Sequence, residues 1–77
     1  MSSNTILVMM HNLGIVRSET AKTGEEIAYV SHLNLEETLK YLKKHEEEGY
    51  IRRRVTGLET AFYLTASGIL NVCGTLT

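Results

Sequence analysis

With 77 residues, 43% of them hydrophobic and 22% charged, the chain has room for one hydrophobic core and the composition of a globular rather than a disordered polypeptide. A single cysteine excludes an internal disulfide, and the longest strongly apolar run, residues 6–10, falls far short of the ~20 residues a membrane span requires. The formal net charge of −1 hides an uneven distribution: residues 1–39 carry −3, and residues 40–54 carry +3.

A domain this small buries only about 60% of its unfolded surface, so a partner subunit is the natural supplement and a homodimer is expected. The N-terminus lacks the basic stretch, apolar segment and cleavage site of a secretory signal, which leads to the expectation of an intracellular, cytoplasmic protein.

The first periodic segment runs from about Asn4 to Leu13, with Gly14 suited to the left-handed residue that closes a helix. Ile6, Leu7, Val8, Met9, Met10 and Leu13 cover more than one face, as in a helix buried on several sides, part of it by a second subunit. Ile15 to Arg17 can form a short strand, and Ser18 to Lys22 reads as a polar connection.

Thr23, Gly24, Glu25 and Glu26 fit a capping box for a second helix ending near Ser31, with Ile27, Ala28 and Val30 inward. After a tight turn at His32-Leu33, Asn34 caps a third helix, residues 35–48, stopped by Gly49. At ~1.5 Å per residue this helix spans roughly 21 Å, enough to lie in a DNA major groove.

Beyond Gly49 the pattern changes to period two. Residues 50–55 and 61–64 flank a Thr56-Gly57-Leu58-Glu59-Thr60 turn, which predicts a β-hairpin over residues 50–64. Thr65 then caps a last short helix from Ala66 to about Val72. The predicted class is α+β, mostly α: a three-helix core, a hairpin wing and a short C-terminal helix, one winged helix-turn-helix domain over residues 1–77.

The stretch EEIAYVSHLNLEETLKYLKKHEEEGYI resembles the helix-turn-helix of archaeal winged-helix regulators, relatives of the MarR, ArsR and PadR types. YIRRR and AFYLTASG look like the wing followed by that family's L-T-x-x-G signature, here Leu64, Thr65 and Gly68. The resemblance covers about residues 23–72; His45 stands where the family usually has leucine. It implies a homodimeric, sequence-specific transcriptional regulator of an archaeon or an archaeal virus, acting on double-stranded DNA.

Phosphate neutralisation supplies most DNA affinity, and base-edge contacts supply sequence preference. By the family register Leu35, Thr38, Tyr41, Leu42 and His45 face the core. Glu36, Glu37, Leu39, Lys40, Lys43 and Lys44 then lie on or near the outer face. Lys40 and Lys43, three apart, can bind phosphate oxygens or a guanine edge, and Glu37 can accept from a cytosine amino group. The simpler reading of Glu36 and Glu37 is charge that complements the helix dipole.

In the wing, period two sets Arg52 and Arg54 opposite Ile51, Arg53 and Val55. The outward pair is the expected phosphate or minor-groove contact, Thr56 joins it in the DNA-binding set, and Arg53 can pair with the Glu46–Glu48 cluster. The expected DNA-binding set is therefore Glu37, Leu39, Lys40, Lys43, Lys44, Arg52, Arg54 and Thr56.

His11, His32 and His45 lack metal-ligand spacing, and one cysteine makes no zinc pair. No nucleophile elbow or phosphate loop occurs, so no enzyme, metal, cofactor or small-molecule ligand is expected. Cys73 is a candidate for a disulfide across a dimer axis. The alternative reading is a winged helix that docks proteins without binding DNA.

Overall fold

The computed structural model describes residues 4–76, with side chains described for residues 5–74. In chain order these form α1 (Asn4–Asn12), a 3-10 turn (Ser18–Thr20), β1 (Lys22–Thr23) and α2 (Gly24–Ser31). There follow α3 (Leu35–Glu47), β2 (Ile51–Thr56), β3 (Glu59–Leu64) and α4 (Ala66–Leu76).

Three helices close by the same device. A residue in the left-handed region sits just past the helix, and the following N–H reaches back five residues to a carbonyl: Ile15 to Met10 (2.9 Å), Leu33 to Ala28 (3.2 Å), Tyr50 to His45 (2.9 Å). Glycine supplies that residue at Gly14 and Gly49, and His32 does so at φ 60. The expected caps at the opposite ends are also present. Glu26 N–H donates to Thr23 Oγ1 while Thr23 N–H donates to Glu26 Oε1, both at 3.2 Å. Glu37 N–H donates to Asn34 Oδ1 at 2.7 Å.

The core gathers Ile6, Leu7 and Met10 of α1, Ile27 of α2, Leu42 of α3, Ile51, Phe62 and Leu64 of the hairpin, and Val72 of α4. Thr38 and His45 complete the inward stripe of α3. Leu35, expected on that stripe, is instead 40% exposed, because the first turn of α3 extends past the edge of the core. Val30 is likewise exposed.

The sheet is antiparallel in the order β1-β3-β2. Its third strand is not where the sequence pattern puts it. Ile15 does accept from Leu64 N–H (2.9 Å), but the chain then folds into the Ser18–Thr20 turn, where the Thr20 hydroxyl takes the N–H of Arg17 at 3.1 Å. Strand pairing therefore begins only at Lys22, opposite Phe62.

The hairpin loop is also tighter than the expected five residues. Thr56 pairs with Glu59, leaving only Gly57 and Leu58 between the strands. Gly57 at φ 58 in the first central position is the II′ pattern, whose twist matches that of the flanking strands. The last helix runs beyond the expected Val72 to Leu76 and packs on α1.

Candidate nucleic-acid interface

With Thr38, Leu42 and His45 buried, the opposite side of α3 exposes Glu36, Leu39, Lys40, Lys43, Lys44 and Glu47. Lys40 is three residues from Lys43 and four from Lys44, so the three ammonium groups share one helical surface. Glu37 is only half-buried at the flank, and its Oε1 accepts from Tyr41 Oη–H at 3.3 Å. One oxygen of that proposed base reader is thus already engaged.

Between α3 and the wing lies an open groove of about 520 Å³. Leu35 and Leu39 of α3 line it with Phe62 and Leu58 of the hairpin. Its charged members are Lys43 and Arg53, faced by Glu25 and Glu59. Leu58, at the wing tip, is fully exposed. Gly24 lets α2 approach this groove closely: a Cβ there would lie 2.7 Å from Leu39 Cδ2.

The arginines of β2 divide between two sides of the wing, as strand alternation requires. Arg53 follows Ile51 onto the side that faces α3. Its Nε and Nη2 donate to Glu46 Oε2 and Oε1, both at 2.7 Å, and its guanidinium lies 5.7 Å from the centre of the Phe62 ring. This two-pronged hydrogen bond, against the opposing effect of burial, holds the Glu46 carboxyl below its ordinary value and raises the Arg53 pKa in turn.

Arg52 and Arg54 occupy the other side. Arg52 is exposed opposite Tyr63, in a shallow depression shared with Val16 and Gly49. Arg54 is not the free outward cation expected. It is half-buried, and its Nη1 donates to the Ser18 carbonyl at 2.5 Å, tying the wing to the 3-10 turn. Thr56 is exposed on the same side, at the end of β2.

The predicted set is therefore only partly assembled. Leu39 and Lys43 line the groove, Lys40 and Lys44 are exposed on the same helix outside that lining, and Arg52, Arg54 and Thr56 point away from it. Arg53 is the groove cation outside the expected set. The signal for it was present in the alternation: where the hairpin outgrows the core, the Ile51 side becomes the α3 side. Cys73 is exposed on α4. Among the described residues no group of three or more His, Cys, Asp or Glu side chains could hold a metal ion, and no helix is long and apolar enough to cross a membrane.

No family model and no curated protein sequence matches the chain. Among solved structures it is similar to the solution structure of the DNA-binding TubR fragment from Clostridium botulinum, at a TM-score of 0.84 and 21% identity. That superposition covers 96% of this chain and 93% of the fragment. With a helix-turn-helix made by α2 and α3 and a hairpin wing behind it, the fold is that of a winged helix.

Proposed function

We propose that this chain is a double-stranded DNA-binding module, a transcriptional regulator rather than an enzyme, working inside the cell as one winged-helix unit per subunit of a homodimer. The observation that carries the reading is the cluster of Lys40, Lys43 and Lys44 on the solvent face of α3, the second helix of the helix-turn-helix. The likeness in fold to a DNA-binding fragment supports it.

In this reading α3 enters the major groove, with Leu39 and Glu37 near base edges and the three lysines on phosphates or guanine. Arg52 and Thr56 reach the flanking backbone from the outer side of the wing, which Arg54 stiffens. Two copies about a two-fold axis would address half-sites one helical turn, ~34 Å, apart. A shared ancestry with MarR, ArsR and PadR regulators of archaea or their viruses belongs to the same proposal.

The test is the salt dependence of affinity for a mixed-sequence duplex, comparing the native chain with the Lys40→Ala/Lys43→Ala variant. Each lost phosphate contact lowers the log–log slope by about 0.9. The double variant should bind more weakly, with a slope shallower by up to ~1.8. Equal slopes and affinities would remove the assignment.

A second reading is favoured by one observation: the groove beside α3 is lined by Leu35, Leu39, Leu58 and Phe62 and carries Glu25 and Glu59. Such a surface suits a protein segment. Flow-through on heparin and on duplex DNA at low salt would select this docking function instead.

A further inference from the structure

Three facts about Arg53 come together. It lines the α3–wing groove with Lys43. Its guanidinium lies 5.7 Å from the centre of the Phe62 ring and donates two hydrogen bonds to Glu46. The pair is also solvent-accessible, Arg53 at 48% and Glu46 at 27%. A guanidinium fork recognises two oxygens of a carboxylate and two of a phosphate by the same geometry. An accessible ion pair costs little to exchange, because water and salt already screen it.

We propose that Arg53 is a further wing residue that takes a backbone phosphate of bound DNA, and that Glu46 is its placeholder, releasing the fork when a phosphate enters the groove beside Lys43. The proposal rests on the duplex-DNA reading and adds to it a contact and its positioning residue. Lys43 and Glu46 are three apart on α3, so the phosphate meets Lys43 as it displaces the carboxylate. Glu46 pre-sets the rotamer of a long side chain, which reduces the ordering cost of binding. It also imposes a competition.

These two effects of Glu46 oppose each other, and the competition is the larger, since Phe62 and the strand already restrict the arginine. Removing the carboxylate charge therefore strengthens DNA binding. That sign separates the proposal from a purely structural role, in which loss of the ion pair weakens binding or leaves it unchanged.

The experiment measures affinity for a mixed-sequence duplex of about two helical turns, over a salt series, for four variants. Arg53→Met keeps the apolar stem over Phe62 and deletes the fork; it should lower affinity and make the log–log slope shallower by about 0.9. Glu46→Gln should raise affinity several-fold and keep the native slope. Glu46→Gln/Arg53→Met should lose that gain. Glu47→Gln, an exposed neighbour, shows what simple removal of a negative charge does.

Circular dichroism melts establish that each variant is folded, and Arg53→Gln replaces Arg53→Met if the latter is not. A gain in Glu46→Gln that survives without Arg53, or equals that of Glu47→Gln, overturns the proposal. So does a native slope in the Arg53 variant. If the native chain itself shows no salt-sensitive duplex binding, the DNA reading fails and this proposal with it, an outcome distinct from either of the others.

Discussion

Gly68 lies so close to Tyr50 that a Cβ at position 68 would overlap the Tyr50 carbonyl oxygen. That carbonyl is committed from the other side, since it accepts from Thr65 N–H at 3.0 Å. The Thr65 hydroxyl donates to Gly49 O at 2.6 Å and accepts from Gly68 N–H at 3.1 Å. The L-T-x-x-G signature is thus a clamp between the end of α3 and the start of α4, and it sets the angle at which the wing leaves the body.

Gly68→Ala should be costly, because the obstacle is backbone and cannot swing aside. A loss of about 2–3 kcal/mol is expected, in the range of overpacked interiors. For a domain of this size that is a fall in Tm of roughly 10–20 °C. Thr65→Val, which removes both hydroxyl bonds, should cost about 1–2 kcal/mol. Urea midpoints measure both, and an alanine at 68 with native stability would contradict the packing described.

Gly24→Ala makes the contrasting case. The atom in the way is Leu39 Cδ2, the end of a side chain that is 42% exposed and can rotate into the groove. Alanine also gains up to about 1 kcal/mol of helix propensity over glycine. Stability should therefore stay within about 1 kcal/mol of native, while DNA affinity changes through the displaced Leu39. A Gly24 variant as unstable as the Gly68 one would show that the α2–α3 contact is stiffer than Leu39 suggests.

The contrast also indicates what could be read from residues alone. Thr23-x-x-Glu26, Asn34, Gly14 and Gly49 announce helix ends because caps are local, made by side chains or backbone groups within five residues of the backbone they satisfy. Helical period puts Leu35, Thr38, Tyr41, Leu42 and His45 on one stripe, and the family resemblance says that this stripe faces inward. β1 was not legible, because Lys22 and Thr23 have no strand character of their own and become a strand only by pairing with Phe62 and Ala61. Alternation correctly grouped Arg53 with Ile51, but the tertiary position of α3 decides that this side is core at Ile51 and groove at Arg53. The tie of Arg54 to Ser18 spans 36 residues and had no local signature.

The Arg53–Glu46 pair makes a pH prediction. Glu46 has a lowered pKa in the folded chain, chiefly through the Arg53 hydrogen bonds. Its stabilising contribution is complete above the unfolded carboxylate value of about 4.3 and is lost as pH falls through the lower folded value. Arg53 stays charged throughout. Because the pair is accessible, the contribution is about 0.2–1 kcal/mol. The native chain should exceed Glu46→Gln in stability by that amount at pH 7 and lose the advantage at a pH below the folded Glu46 value. Urea melts at the two values check this, and a pH-independent difference would mean that Glu46 acts through packing rather than charge.

Arg52 and Arg54, two residues apart on one side of β2, should respond in opposite ways to truncation. Arg54 is half-buried and bonds a carbonyl that anchors the 3-10 turn, so Arg54→Ala leaves the Ser18 carbonyl without its charged donor and removes one tie between the wing and the 3-10 turn. A charged hydrogen bond of this kind is worth about 1.5–3 kcal/mol, reduced here by partial exposure to about 1–2 kcal/mol. Arg52 is exposed, and Arg52→Ala should change stability by no more than about 0.5 kcal/mol. Its effect belongs to binding instead, as a salt slope shallower by about 0.9 if the outer side of the wing meets phosphate. Thermal melts and salt titrations on the same two variants separate the roles. A destabilised Arg52 variant with native DNA affinity would make the outer side of the wing structural and leave the groove side, with Lys43, as the surface that meets the duplex.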